Sequence, residues 1–184
     1  MPEKLVVVSN TGPLLSAFQC GRIDLLRRYI QIIYIPESSV AEFQHHGAGP
    51  SIHELLVEGL AVTMPLAVKE VQLAAQIAER IARSSRVSEP GHHLTEAEAI
   101  ALMSRPALGA DLILLEERAA RQVAREMGLP ITGFIGILLM ACWDKVLQPV
   151  EMRHLLEMCR RQGTRYSEEL IESVCRLCQE VSSL

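Results

Sequence analysis

Residues 110–121, ADLILLEERAAR, constrain the fold of this chain more than any other stretch. Leu112 to Leu115 form a short continuous apolar run, the mark of a strand buried on both faces. The run stops at Glu116 and Glu117. Arg118, Ala119, Ala120, Arg121, Val123 and Ala124 then give a helical pattern that ends near Gly128 and Pro130. Two carboxylates thus stand at the carboxyl end of a buried strand, where open α/β sheets place their ligands. Acids in a first helical turn also complement the helix dipole, so a structural role competes with an acidic site for the same pair.

The rest of the chain repeats this strand-to-helix alternation. Leu5 to Val8 and Ile30 to Ile35 read as buried strands, Leu60 to Met64 as a third, and Ile131 to Gly133 as a short one. Between them fall helical patterns at Leu14 to Phe18, Ile23 to Tyr29, Pro36 to Phe43, Ser51 to Val57, Ala67 to Ala82 and Thr95 to Met103. Phe134 to Trp143, Val150 to Arg161 and Glu168 to Val181 supply the last helices. The segment RSSRVSEPGHH, residues 83–93, is the most loop-like part. Such alternation predicts an α/β fold with a mostly parallel central sheet flanked by helices. A domain over residues 1–147 is expected, with residues 148–184 as a C-terminal helical extension packed on it.

With 184 residues and 49% hydrophobic content, one globular domain with a sizeable core is the natural expectation. The net charge of −4 means that a nucleic-acid partner must be held by a local basic patch or by bound cations. An aromatic share of 4% argues against base-stacking platforms. Five cysteines, an odd number, together with the lack of a secretory leader in MPEKLVVVSN, point to a reduced cytoplasmic setting. The apolar stretch Phe134 to Trp143 is too short to span a bilayer and reads as a core helix, so no membrane partner is expected.

Polar groups recur at element ends: Asn10 after the first strand, Glu42 after the second, Glu96 or Glu98, and Glu116 or Glu117. In a parallel sheet the carboxyl ends share one edge, which brings such groups within reach of each other. Converging carboxylates repel and stay protonated unless a cation neutralises them, and hard oxygen ligands favour Mg²⁺ or Mn²⁺. Glu96 and Glu98 project about 200° apart on a helix, so one site uses one of them. Thr95-Glu96-Ala97-Glu98 fits a capping box that occupies Glu98, which favours Glu96 for the site.

Five segments then carry a resemblance. VVVSNTGPLLSA, IPESSVAEF, LTEAEAIAL, ADLILLEERAARQVAREMGL and ITGFIGILLMA are similar, in this order from about Leu5 to Leu147, to the successive motifs of the PIN-domain family. More narrowly they resemble small prokaryotic members related to toxin ribonucleases. The resemblance implies a three-layer PIN-like fold and a metal-dependent endoribonuclease that cleaves single-stranded RNA with acidic residues and Mg²⁺ or Mn²⁺. It implies control by an antitoxin protein, as in a toxin–antitoxin pair, and a homodimer suits the paired C-terminal helices. Position by position, the family's first acid falls on Asn10, with Thr11 as the accompanying hydroxyl residue. The next falls on Glu42, the third on Glu96, and the last on Glu116 and Glu117, with Glu117 aligning better.

Asparagine offers a carbonyl oxygen but no charge and cannot act as a base, and glutamate in place of aspartate moves the oxygens outward by a methylene. The site is therefore degenerate relative to the family pattern. The alternative reading is a catalytically silent PIN-like module that binds RNA or a partner protein. An unrelated phosphohydrolase rests on the acidic strand ends alone.

Other features read as structural. His45-His46 and His92-His93 have no zinc-ligand spacing and are expected as exposed loop residues. Cys175 and Cys178 read as two thiols on one apolar helix face. Arg80, Arg83 and Arg86, and Arg118, Arg121 and Arg125, form basic rows. They suit either a phosphate backbone or a solvated face with pairs such as Glu117–Arg121.

Overall fold

The computed structural model describes residues 3–182. Five strands form one parallel sheet: β1 (Leu5–Ser9), β2 (Ile30–Pro36), β3 (Ala61–Met64), β4 (Leu112–Leu114) and β5 (Ile131–Thr132), in the order β3-β2-β1-β4-β5. Every strand pair is parallel, so the expected mostly parallel sheet is in fact wholly parallel among the described residues. The connecting helices are α1 (Thr11–Gln19), α2 (Ile23–Tyr29), α3 (Ser39–His45), α4 (Gly49–Val57), α5 (Val68–Ser84), α6 (Leu94–Met103) and α7 (Arg118–Glu126). Three more close the chain: α8 (Phe134–Trp143), α9 (Pro149–Arg161) and α10 (Glu168–Ser182).

The pleat of each strand divides the core in two. Val7 and Leu114 point to one face, where they meet Leu14, Tyr29, Ile52, Phe134, Leu156 and Ile171 from the helices on that side. Val8 and Ile113 point to the other, against Ile77, Ile81, Ile100, Leu102 and Val123 of α5, α6 and α7. Helix, sheet and helix are therefore stacked in three layers. Helices α9 and α10 contribute Met152, Leu155, Leu156, Cys159 and Ile171, and the segment between them Tyr166, to the first of these two clusters. No helix among the described residues is long and apolar enough to cross a membrane.

Three local expectations are corrected. Cys178 is not a free thiol beside Cys175 but is disulfide-bonded to Cys142, which ties α10 to α8 and departs from the fully reduced cysteines expected; Cys20, Cys159 and Cys175 are free and buried. His93 is not an exposed loop residue: it is 5% exposed and its Nε2 lies 2.8 Å from the Val87 carbonyl oxygen, pinning the segment before α6. Glu98 does not close a capping box on Thr95. Helix α6 starts one residue earlier, after a 3₁₀ turn at Pro90–His93, and Glu98 accepts a hydrogen bond from the Ser38 hydroxyl instead.

Strand order reverses between β1 and β4: the chain moves outward through β2 and β3, then crosses back to β4 and β5. Open α/β sheets bind ligands outside the carboxyl ends at this kind of switch point. Ser9 pairs in register with Leu114 there, so Asn10 and Glu116 emerge on either side of the same crevice.

Candidate active site

Asn10 caps α1 by position but not by hydrogen bond, since its side chain reaches no backbone N–H of the first turn. Asparagine at an N-cap ordinarily satisfies its oxygen in that way. Here Asn10 is 3% exposed and its Oδ1 has no hydrogen-bond partner. The other buried side-chain oxygen without a partner among the described residues is Ser39 Oγ, one turn before Glu42 on α3. Buried polar atoms nearly always find partners, so two orphans at one edge mark a place shaped for a polar guest.

Glu42 faces the same edge. Its Oε2 accepts a hydrogen bond of 2.5 Å from the hydroxyl of Thr11, the residue after Asn10, which joins α3 to the start of α1. Glu96, in the first turn of α6, accepts from the Thr95 hydroxyl at 3.2 Å. Burial pushes the Glu96 carboxyl above its usual range, its own backbone N–H opposes that shift, and the charge of Glu42 adds to it. These two carboxylates feel each other, and neither forms an ion pair with Lys or Arg among the described residues.

The last pair of acids diverges. Glu117 turns back along its own helix: it is the N-cap of α7, and its Oε2 accepts from the Ala120 backbone N–H at 2.6 Å. Glu116 points the other way, and its Oε1 accepts from the Phe134 backbone N–H at the start of α8, 2.8 Å away. The hydroxyl of Tyr166 lies 3.3 Å from the same oxygen and 3.4 Å from Ser16 Oγ. Burial holds the Glu116 carboxyl above its usual range, and the hydrogen bonds from Phe134 and Tyr166 and the charge of Arg121 only partly offset it. Arg121 does not pair with Glu117; its Nη1 donates to the Leu115 carbonyl at 2.7 Å. The same reasoning that placed Glu116 and Glu117 at a strand end had no way to tell which of them turns into the helix.

A cavity of about 690 Å³ opens beside Glu116. Gly12, Ser16, Glu116, Arg121, Gly133 and Tyr166 are among the residues that line it, and the turn between α9 and α10 forms one wall. Nothing in the sequence pointed to Tyr166 or to this cavity, because the wall comes from residues more than a hundred positions beyond Gly12.

A PIN-domain family model matches residues 6–180, and the chain belongs to that family. No curated protein and no solved structure matches it. PIN domains are a nuclease-type fold associated with nucleic acid and generally dependent on a divalent metal. Among the described residues no group of three or more His, Cys, Asp or Glu side chains is arranged to hold a metal ion. The oxygen donors at the crevice still suit a hard cation in kind: the unpartnered Asn10 Oδ1 and the mutually repelling Glu42 and Glu96. Mg²⁺ is commonly held by one or two carboxylates, with water and substrate phosphate completing its shell. The donor set thus fits a weak site of that type.

The basic rows divide likewise. Arg80 and Arg83 pair with Glu126 and Glu79 on the surface, at 3.0 and 3.7 Å. Arg118 and Arg125 on α7 are exposed.

Proposed function

We propose that this protein is a metal-dependent endoribonuclease of PIN type with a weakened acidic site, acting on single-stranded RNA in the cytoplasm. The observation that carries the reading is the buried, unpartnered Oδ1 of Asn10 at the switch point, next to an acidic edge built by Glu42 and Glu96. Asn10, Glu42 and Glu96 would hold Mg²⁺ or Mn²⁺. When bound, such a cation supplies positive charge at a phosphodiester and makes an attacking water more acidic. Thr11 fixes the Glu42 carboxylate through its hydroxyl. Asn10 orients but cannot take a proton, so turnover is slow relative to a site with aspartate there. Exposed Arg118 and Arg125 on the helix that leaves β4 suit the phosphates of a strand lying across the sheet edge.

The proposal includes the role of a toxin-like component restrained by an antitoxin protein, and a homodimer. Trp143 and Val150, 57% and 79% exposed on either side of the α8–α9 connection, give such a partner an apolar surface. A second reading, a silent module that binds RNA or a partner protein, is favoured by two facts: position 10 is neutral, and Glu116 and Glu117 are both engaged by backbone N–H groups.

The test is cleavage of end-labelled single-stranded RNA by the full chain with Mn²⁺. The nuclease reading expects cleavage that disappears with EDTA and in Glu96→Gln. Cleavage that persists under both conditions would overturn it, and RNA binding without cleavage would favour the silent module.

A further inference from the structure

The cavity beside Glu116 is built for more than filling space. One wall is apolar, from Leu15, Ile135 and Leu139, and its charged side chains include Glu116, Glu117, which is engaged as the N-cap of α7, and two guanidinium groups, Arg121 and Arg165. Its volume of about 690 Å³ lies within the range of small-molecule sites. A ligand that satisfies all three features needs a flat apolar body, an N–H donor and an anionic group. A nucleotide has them: base, exocyclic amine and phosphate.

The polar groups are available. Both hydrogen bonds to Glu116 from Phe134 and Tyr166 fall on Oε1, and Oε2 has no hydrogen bond among the described residues. Arg121 makes no ion pair among the described residues; burial, and secondarily Arg125, lower its proton affinity, a cost that a bound phosphate relieves. Position also matters. A Cβ at Gly12 would lie 3.4 Å from Glu116 Cβ and 3.9 Å from Asn10 Oδ1, so the cavity begins where the acidic edge ends.

We infer that this cavity is a nucleotide subsite, resting on the proposed ribonuclease reading. It takes the nucleoside next to the scissile phosphate, with the base against Leu15, Ile135 and Leu139 and a phosphate on Arg121. Glu116 accepts from the exocyclic amine of adenine, cytosine or guanine. Uracil and hypoxanthine lack that amine, and the ring N–H that each offers instead is flanked by a carbonyl oxygen that the carboxylate repels. The subsite thus selects bases by a single charge-assisted hydrogen bond.

The experiment is calorimetric binding of 5′-monophosphates to the full chain in EDTA, so that neither metal nor cleavage enters the readout. AMP, CMP and GMP are expected to bind about tenfold more tightly than UMP and IMP, the usual size of one charge-assisted hydrogen bond. Glu116→Gln should erase that preference, and Arg121→Ala should weaken all five nucleotides together. Leu139→Trp, which fills the cavity from its apolar wall, should abolish binding while circular dichroism verifies the fold. No binding by the wild type, or binding with no preference for the amine, overturns the subsite. Amine-selective binding by a protein that fails to cleave RNA upholds the subsite and removes only the nuclease reading.

Discussion

The hydroxyl oxygen of Tyr166 lies 3.3 Å from Glu116 Oε1, so the segment between the last two helices reaches the carboxylate at the end of β4. Glu116 is raised above its ordinary value of 4.5 chiefly by burial. A carboxyl whose folded-state pKa is raised contributes stability below its unfolded value and loses it as pH rises through the folded one. In EDTA, wild type should therefore lose stability relative to Glu116→Gln as pH rises above about 4.5. Tyr166→Phe removes a donor to the ionised form and should shift that loss to higher pH. Urea denaturation of the three proteins from about pH 4.5 upward measures both effects. A constant difference between wild type and Glu116→Gln would show that Glu116 does not titrate in this way.

Asn10→Asp adds a charge beside the Glu42 and Glu96 pair. Without metal it should destabilise the protein, because a carboxylate at a buried position joins two half-buried ones that already repel. With Mn²⁺ the sign reverses, and affinity should rise about tenfold or more over wild type, since each added ligand charge strengthens a hard-cation site. Calorimetry with Mn²⁺, alongside Glu96→Gln as the loss-of-ligand control, reads the effect directly. Equal Mn²⁺ affinity in wild type and Asn10→Asp would count against a metal at this edge.

Gly136 lies under Thr132 so closely that a Cβ added there would collide with the Thr132 hydroxyl and sit 3.2 Å from its Cβ. Gly136→Ala should cost about 1–3 kcal/mol despite the better helix propensity of alanine, because the cost is overpacking. Thr132→Ala in the same chain should restore most of it. Thermal unfolding of the two variants settles the sign.

The Cys142–Cys178 bond closes a loop with a sequence separation of 36, which corresponds to about 4 kcal/mol in the chain-entropy model. The double variant Cys142→Ser, Cys178→Ser should unfold at lower urea concentration by an amount in the range of about 2–4 kcal/mol. Free Cys20 and Cys159 should remain reactive only on unfolding, since both are buried. A thiol count under native conditions checks that second point.

Much of the architecture was legible because each segment carried one dominant pattern. The run Ile23 to Tyr29 is helical over its expected bounds, and β4 follows the apolar run from Leu112 but ends at Leu114, one residue before the run does. What escaped were choices made by tertiary contacts. The capping logic for Glu98 was sound locally, but a 3₁₀ turn moved the helix start and Ser38 supplied another partner. Glu116 and Glu117 are adjacent in sequence, and their opposite directions follow from where α8 begins, eighteen residues on from Glu116. Cys142 and Cys178 are on separate helices, so no spacing rule joins them.

The cavity draws its walls from both ends of the chain, from Gly12 after the first strand and from residues 162–170 at the turn before the last helix. During synthesis the sheet and its acidic edge are complete once β5 has emerged, while the pocket still lacks a side. On the proposed reading, a nucleotide finds no complete seat until residues 162–170 have joined the sheet and Gly12, so the pocket matures later than the acidic edge.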